Sequence, residues 1–435
     1  MVFIHILILF GAIIIGARLG SIAIGFAGGL GVLLLGIFGV PVTREDIPFD
    51  VIGIIMAVIA AIASMQRAGG MDYLVYLSEK ALRRNPKQIT YVAPVVTYFM
   101  TIFAGTGHTA FATLPVISEV AKESKVRPSR PLSVAVVSSQ LAICASPISA
   151  AVVFMAATLE PLGVGYLTLV GIMLVSTFVA IFPTAWVTNR RGVELEDDPI
   201  YQRRMRDNLV APPKGMSQYT PTRAAKLSVH IFLVAILAVM IYATLISEQL
   251  GLVTDPTLPR NEAIMAVMLT AALAIIIACR APAAEVLNTQ VFRSGMSACI
   301  CVLGVAWLGT TIINYYIDDI QHHAESILGS YPWLLAIILF FAAAFLYSQA
   351  ATAKALIPAA LTIGVSPLTA LASFPAVSAL FILPTYPTLL AAVEMDDTGS
   401  TQIGKAVVNH PFLLPGTMCI AISILIAFGL GSILL

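Results

Sequence analysis

YVAPVVTYFMTIFAGTGHTAFATLPVI (residues 91–117) and YPWLLAIILFFAAAFLYSQAATAKALIPAAL (331–361) decide the fold. Each is an apolar arm, a small-polar break and an apolar return. Setting Pro115 against Pro358 places GTGHT opposite SQAAT. The arms run to about 15 residues, short of the roughly 20 that a helix needs to cross the hydrocarbon. Both stretches therefore read as re-entrant hairpins, with tips at 105–109 and 348–352 held at membrane depth.

The rest of the chain agrees. Of 435 residues, 59% are hydrophobic and 11% charged, against about 45–50% and 25% in soluble domains. Mean hydropathy is +0.93. A polytopic membrane protein fits, and a net charge of +1 excludes a nucleic-acid partner. Cys144, Cys279, Cys299, Cys301 and Cys419 form no CxxC pair and no disulfide framework. Residues 1–43 hold two spans, and MVFIHILILF reads as a retained span, since it lacks a basic start and a cleavage site. Residues 51–66 hold a third span and 131–189 two more. After the charged segment 190–226 the pattern returns at 227–247, 263–279, 294–317, 326–353, 355–393 and 406–435.

The expected fold is an all-α polytopic membrane protein with two repeats, each of five transmembrane helices plus one re-entrant hairpin. The first repeat is 1–189, the cytoplasmic linker 190–226, and the second repeat 227–435. Five crossings is odd, so the second repeat is inverted relative to the first. Lys and Arg gather on cytoplasmic loops. With the linker cytoplasmic, all of the 24 Lys and Arg but Arg44, Arg260 and Lys354 fall on that side. Both termini then lie outside.

Irregular backbone at membrane depth persists only where protein or a watery cavity satisfies it. Inverted repeats with paired broken helices are a construction of secondary transporters, and the exposed helix starts suit an anion. Two further breaks, ASPIS (145–149) and PTYPT (384–388), interrupt the spans after the hairpins. The candidate binding residues are Thr106, Gly107, His108, Thr109, Ser146, Pro147, Ser149, Ser348, Gln349, Thr352, Lys354, Thr385, Tyr386, Pro387 and Thr388. Lys354, the one cation between 326 and 393, reads as the counter-charge to a substrate carboxylate, or as a side chain snorkelling to the interface. His108 reads as a hydrogen-bond donor or a satisfied polar residue. The hydroxyls read as carboxylate ligands or helix caps.

Glu79 and Arg83 stand i, i+4 on one helix face, usually a surface pair. Arg127 and Arg130 mark the return of the first hairpin. EMDDTGST (394–401) lacks a second aspartate motif that would make a magnesium site, so it reads as a solvated loop. No cofactor and no metal are expected. Without HExxH, GxSxG or paired aspartate motifs inside the spans, and with Asp and Glu almost absent from the apolar stretches, an intramembrane enzyme is disfavoured. A sodium- or proton-coupled carrier of another organic anion is the nearer alternative.

GARLGSIAIGFAGGLGVL, TIFAGTGH, ATLPVISEVAKE, SPISAAVV, GMSACICVLGVAWLG, LYSQAATAKALIP, LFILPTYPTL and MDDTG, spread from Gly16 onward, resemble the anaerobic C4-dicarboxylate transporter family (Dcu), closest to its A branch. The resemblance implies a bacterial inner-membrane antiporter that brings in fumarate, malate or L-aspartate against succinate during anaerobic fumarate respiration. It implies the ion-transporter superfamily, with elevator-like architecture and a homodimer. It also implies that charges at Glu79, Arg83 and Arg127 are essential to transport. A regulatory membrane sensor is a further expected partner, with Asp396, Asp397 and Thr398 as its contact surface.

Overall fold

The computed structural model describes residues 2–19, 22–47, 49–105, 107, 110–210, 219–246, 253, 256–301, 303–304, 307–316, 331–346, 348–362, 364–382, 386–404 and 409–435. All regular structure among them is helical. The chain opens with α1 (Val2–Leu19), α2 (Ala23–Ile37) and α3 (Phe49–Arg67). Next comes α4 (Gly70–Arg84), turned 78° from α3. Its sequence GMDYLVYLSEKALRR alternates apolar and charged faces, as suits the membrane edge.

The first hairpin is α5 (Ile89–Ala104) and α6 (Ala110–Glu123). The broken span after it is α7 (Ser129–Ala142), a 3-10 turn at Ile143–Ala145, and α8 (Ala150–Leu159). An unbroken α9 (Tyr166–Asn189) follows, then α10 (Pro199–Arg206) in the linker. The second half begins with α11 (Arg223–Leu245), α12 (Arg260–Cys279) and the short α13 (Ala283–Val286). The expected span at 294–317 covers most of α14 (Gln290–Cys301) and α15 (Trp307–Tyr315), with part of the stretch between them outside the described residues. The second hairpin is α16 (Leu334–Leu346) and α17 (Gln349–Thr362). Its broken span is α18 (Pro367–Ser373), a 3-10 turn at Phe374–Ser378, and α19 (Pro387–Met395). Closing the chain is α20 (Leu413–Leu434).

Five helical stretches are long and apolar enough to cross a membrane, and the bent pair α3–α4 would make a sixth. The expected crossings at Gly25–Ile37 and Pro367–Ser378 are shorter apolar helices. The chain is a multi-pass membrane protein.

Packing follows the breaks. In the first half the outgoing arm α5 lies along α7, which also meets α9. In the second, α16 lies along α18 and the turn after it, and α18 meets α20. The return arms cross over: α6 packs on α19, and α17 packs on α8. The unbroken α9 and α20 pack on each other. Every residue of α7 is buried. Two hydroxyls seal it to α5: Ser138 donates to Pro94 O over 2.7 Å, and Thr97 donates to Ala135 O over 2.8 Å. Buried hydroxyls of this kind satisfy groups that lipid cannot.

Candidate functional site

A helix that stops inside a membrane leaves backbone groups open at its end. α5 ends on Gly105, whose φ of +66° suits glycine. A side-chain carbon there would press within 2.9 Å of Ile148, so the first tip lies on the first span's break. Ser146 fixes this contact by donating to Ile102 O in the last turn of α5, over 2.7 Å. Ser149 caps α8: its Oγ accepts from Val152 N (3.1 Å) and donates to Ile143 O (2.7 Å). The Pro147 carbonyl accepts from the Tyr166 hydroxyl over 2.8 Å.

The second half is built alike. Ser348 caps α17, its Oγ accepting from Ala351 N at 3.2 Å, while its carbonyl accepts the Thr352 hydroxyl at 2.8 Å. The Tyr386 carbonyl accepts from Leu389 N and Leu390 N where Pro387 opens α19.

These pieces meet at Gln140, in the last turn of α7 and 1% exposed. Its Nε2 donates to Thr388 Oγ1 over 3.0 Å. Its Oε1 accepts from Gln349 Nε2, also over 3.0 Å. Its backbone carbonyl accepts from Ser378 Oγ over 3.2 Å. A side-chain carbon built on Gly107 would stand 3.1 Å from Nε2, so glycine lets the first tip approach the same amide. Both hairpins and both broken spans thus converge on one buried carboxamide.

The structure sorts the predicted residues. Gly107, Gln349 and Thr388 meet at Gln140. The single protons of the Ser146, Ser149 and Thr352 hydroxyls go to backbone carbonyls, so these three side chains serve the breaks. The Ser348 and Thr388 hydroxyls accept hydrogen bonds but donate to no described residue. Lys354, half-buried on α17, makes no ion pair or hydrogen bond with a described residue. Thr106, His108, Thr109 and Thr385 lie outside the described residues. Sequence reasoning missed Gln140. Its one signal is that it is the only carboxamide between 131 and 188.

At the linker side the charges are knitted together. Arg83 joins Glu79 over 2.8 Å and also Glu123, tying α4 to α6. Glu79 is 5% exposed, so the pair is not a surface one. Lys122 at the end of α6 pairs with Asp397 over 2.9 Å. Arg127 reaches Asp198, the cap of α10, over 2.8 Å. Arg130, 6% exposed, binds Glu194 and the carbonyls of Arg191, Gly192 and Val193.

The EMDDTGST turn is not the solvated loop expected. Asp396 is 4% exposed, and Thr398 is buried with it. The Asp396 carboxylate accepts from Thr398 N, Thr398 Oγ1, Ser400 Oγ and Thr401 N. A carboxylate removed from water needs such donors. Asp396 and Thr398 are therefore not an exposed face for a sensor; Asp397, beside them, is held by Lys122.

An all-helical, multi-pass chain whose interrupted helices close on one polar junction has the build of a membrane transporter. The description "Anaerobic c4-dicarboxylate membrane transporter" matches residues 1–435, and the chain belongs to that family. It is 59% identical to the C4-dicarboxylate transporter DcuA of Wolinella succinogenes, with 99% of each chain covered. It is 55% identical to the DcuA of Escherichia coli K12 over 100% of both. The solved structure of the YdaH transporter of Alcanivorax borkumensis has a similar fold, at TM-score 0.52 and 14% identity, covering 100% of this chain and 97% of that one. The named relatives are transporters, which removes the enzyme alternative.

Proposed function

We propose that the chain is an antiporter of four-carbon dicarboxylates in a bacterial inner membrane, bringing in fumarate, malate or L-aspartate against succinate in anaerobic respiration. The names of its close relatives support the substrate class. The observation that carries the reading is the convergence on Gln140 of both hairpins and both broken spans. The same segments carry groups a small dianion needs. The starts of α8, α17 and α19 offer N–H groups and partial positive charge. The Thr388 and Ser348 hydroxyls have protons to give, and Lys354 supplies a cation that no described acid occupies.

The exchange of partners between α6–α19 and α17–α8 supports two inverted repeats, 1–189 and 227–435. The linker 190–226 then lies in the cytoplasm and both termini in the periplasm. The hairpins and broken spans form a mobile unit of an elevator, and the chain works as a homodimer. Obligate exchange follows if the empty carrier cannot cross: an empty site drags Lys354 through lipid with no counter-charge, whereas a bound carboxylate pairs with it.

Counterflow tests this. Proteoliposomes loaded with unlabelled succinate should accumulate labelled fumarate or aspartate, and empty vesicles should not. Uptake into empty vesicles that needs only a sodium or proton gradient would replace exchange with ion-coupled uptake.

A further inference from the structure

Two neighbouring spans carry, at their linker-side ends, cations that no described acid holds. α11 starts there at Arg223, and α12 finishes there at Cys279, whose Sγ donates to Ala224 O over 3.4 Å. The two helices lie along each other, with α3 packed against both. Arg223 and Lys226 in the first turn of α11 are exposed, and so is Arg280, which caps α12. None of the three makes an ion pair with a described residue. Of the acids on the flanking elements, Glu285 of α13 is bound to Arg67, and Asp72 of α4 pairs with none of them. The cations beside the hairpins differ, since Arg83, Lys122, Arg127 and Arg130 each hold a carboxylate.

Behind the cations each helix carries a bare apolar stripe. Leu227, Val234 and Ile241 recur at seven residues, about two turns, on the side of α11 that bears Arg223 and Lys226. Leu269, Leu273 and Ile277 recur at four residues along α12 and lead to Arg280. Val234 is 64% exposed and Ile277 67%, so no described part of the chain covers them. Both helices are long and apolar enough to span a membrane, which sets the stripes at hydrocarbon depth. The positive-inside rule accounts for basic residues on this side. It does not account for their lack of acids where two apolar stripes end together.

We propose that the linker-side ends of α11 and α12 bind a phospholipid with an anionic headgroup. Its phosphate sits among Arg223, Lys226 and Arg280, and its acyl chains lie along the two stripes. Basic residues just outside the hydrocarbon attract such headgroups, and basic pockets between spans hold them. A second copy of the chain is the other cover that an apolar stripe could take. A two-fold pair of parallel copies joined here would set these cations against their own counterparts, and like charges across an interface repel. Charge thus selects the lipid.

Native mass spectrometry of the purified full-length chain, offered phosphatidylglycerol and phosphatidylcholine in equal amounts, tests it. Phosphatidylglycerol should be retained in preference. A Lys or Arg beside an anionic headgroup is worth roughly fivefold in affinity. Lys226→Gln/Arg280→Gln, one change on each helix, should therefore cut the preference by about tenfold or more. Arg203→Gln/Arg206→Gln removes the same charge from exposed positions of α10 and should leave the preference unchanged. Phosphatidylglycerol should also raise the melting temperature of the wild type and not that of the α11–α12 variant. Equal retention of the two lipids by the wild type would overturn the proposal. So would a preference kept by the α11–α12 variant, or lost equally in the α10 variant. Cross-links between copies that depend on Val234→Cys would show a second chain on the stripe and overturn the lipid assignment.

Discussion

Gln140 and Gln349 come from opposite halves of the chain and meet amide to amide, Gln349 Nε2 donating to Gln140 Oε1 over 3.0 Å. The same Gln140 side chain donates to Thr388. One carboxamide therefore registers the second hairpin and the second broken span against α7.

Truncating that amide should weaken transport more than folding. Gln140→Ala leaves Gln349 and Thr388 without their shared partner, a loss of about 1–3 kcal/mol per buried group. Exchange should fall roughly tenfold or more, at about 1.4 kcal/mol per tenfold. Gln140→Glu should be worse, because it sets an acid beside a dianion. Wild-type exchange rates in both variants would separate Gln140 from transport.

Lys354 should act through its charge. Lys354→Ala is expected to abolish succinate–fumarate exchange in proteoliposomes, and Lys354→Arg to retain a measurable part of it. If the alanine variant exchanges normally, the lysine snorkels and carries no substrate.

The Glu79–Arg83–Glu123 triad predicts a coupling. Arg83→Gln leaves two acids facing each other between α4 and α6, one of them buried. Thermal stability should fall, by less than the roughly 3–5 kcal/mol of a fully buried pair, because Arg83 and Glu123 are partly exposed. The double variant Glu79→Gln/Arg83→Gln should lose less than the sum of the single changes. Strict additivity in a thermal-shift series would mean that the pair is not energetically linked.

Asp396 and Asp397 should differ although they are neighbours. Asp396→Asn puts an NH2 where a backbone N–H and a hydroxyl now donate, at a cost of about 1–3 kcal/mol. Asp397→Asn weakens one ion pair and should be milder. Equal losses in melting temperature would contradict the cage described for Asp396.

His410 gives a pH dependence. Burial holds its pKa below the ordinary 6.5, so below pH 6.5 the unfolded chain binds the proton more readily than the folded one. Its stabilising contribution is present above pH 6.5 and is lost as pH falls through the lowered value. Between pH 7.5 and 5 the wild type should lose more stability than His410→Gln. Parallel melting curves for the two would show that His410 does not titrate in this window.

The hairpins were legible in the sequence because a short apolar arm, a polar break and a return are properties of neighbouring residues. The break at 145–149 and the helix start at Pro387 were legible for the same reason. Gln140 was not, because its α7 neighbours make an ordinary buried helix and its partner Gln349 is 209 positions away. Asp396 was misread because a run of polar residues looks solvated until the segments that cover it are known. The attachments of the 190–226 segment were hidden for the same reason: residues 191–198 are held by Arg130 and Arg127.

By itself, the sequence determined that this chain lives in a membrane and where its apolar runs are interrupted. Each of these is a sum over adjacent residues, since hydropathy and backbone breaks act locally along the chain. Only the tertiary structure decided which hydroxyls are consumed as caps, which amide joins the two halves, and which carboxylate is closed in by its own turn. A polar side chain buried in helices can be satisfied only by whatever segment packs against it, and packing between distant segments belongs to the assembled fold.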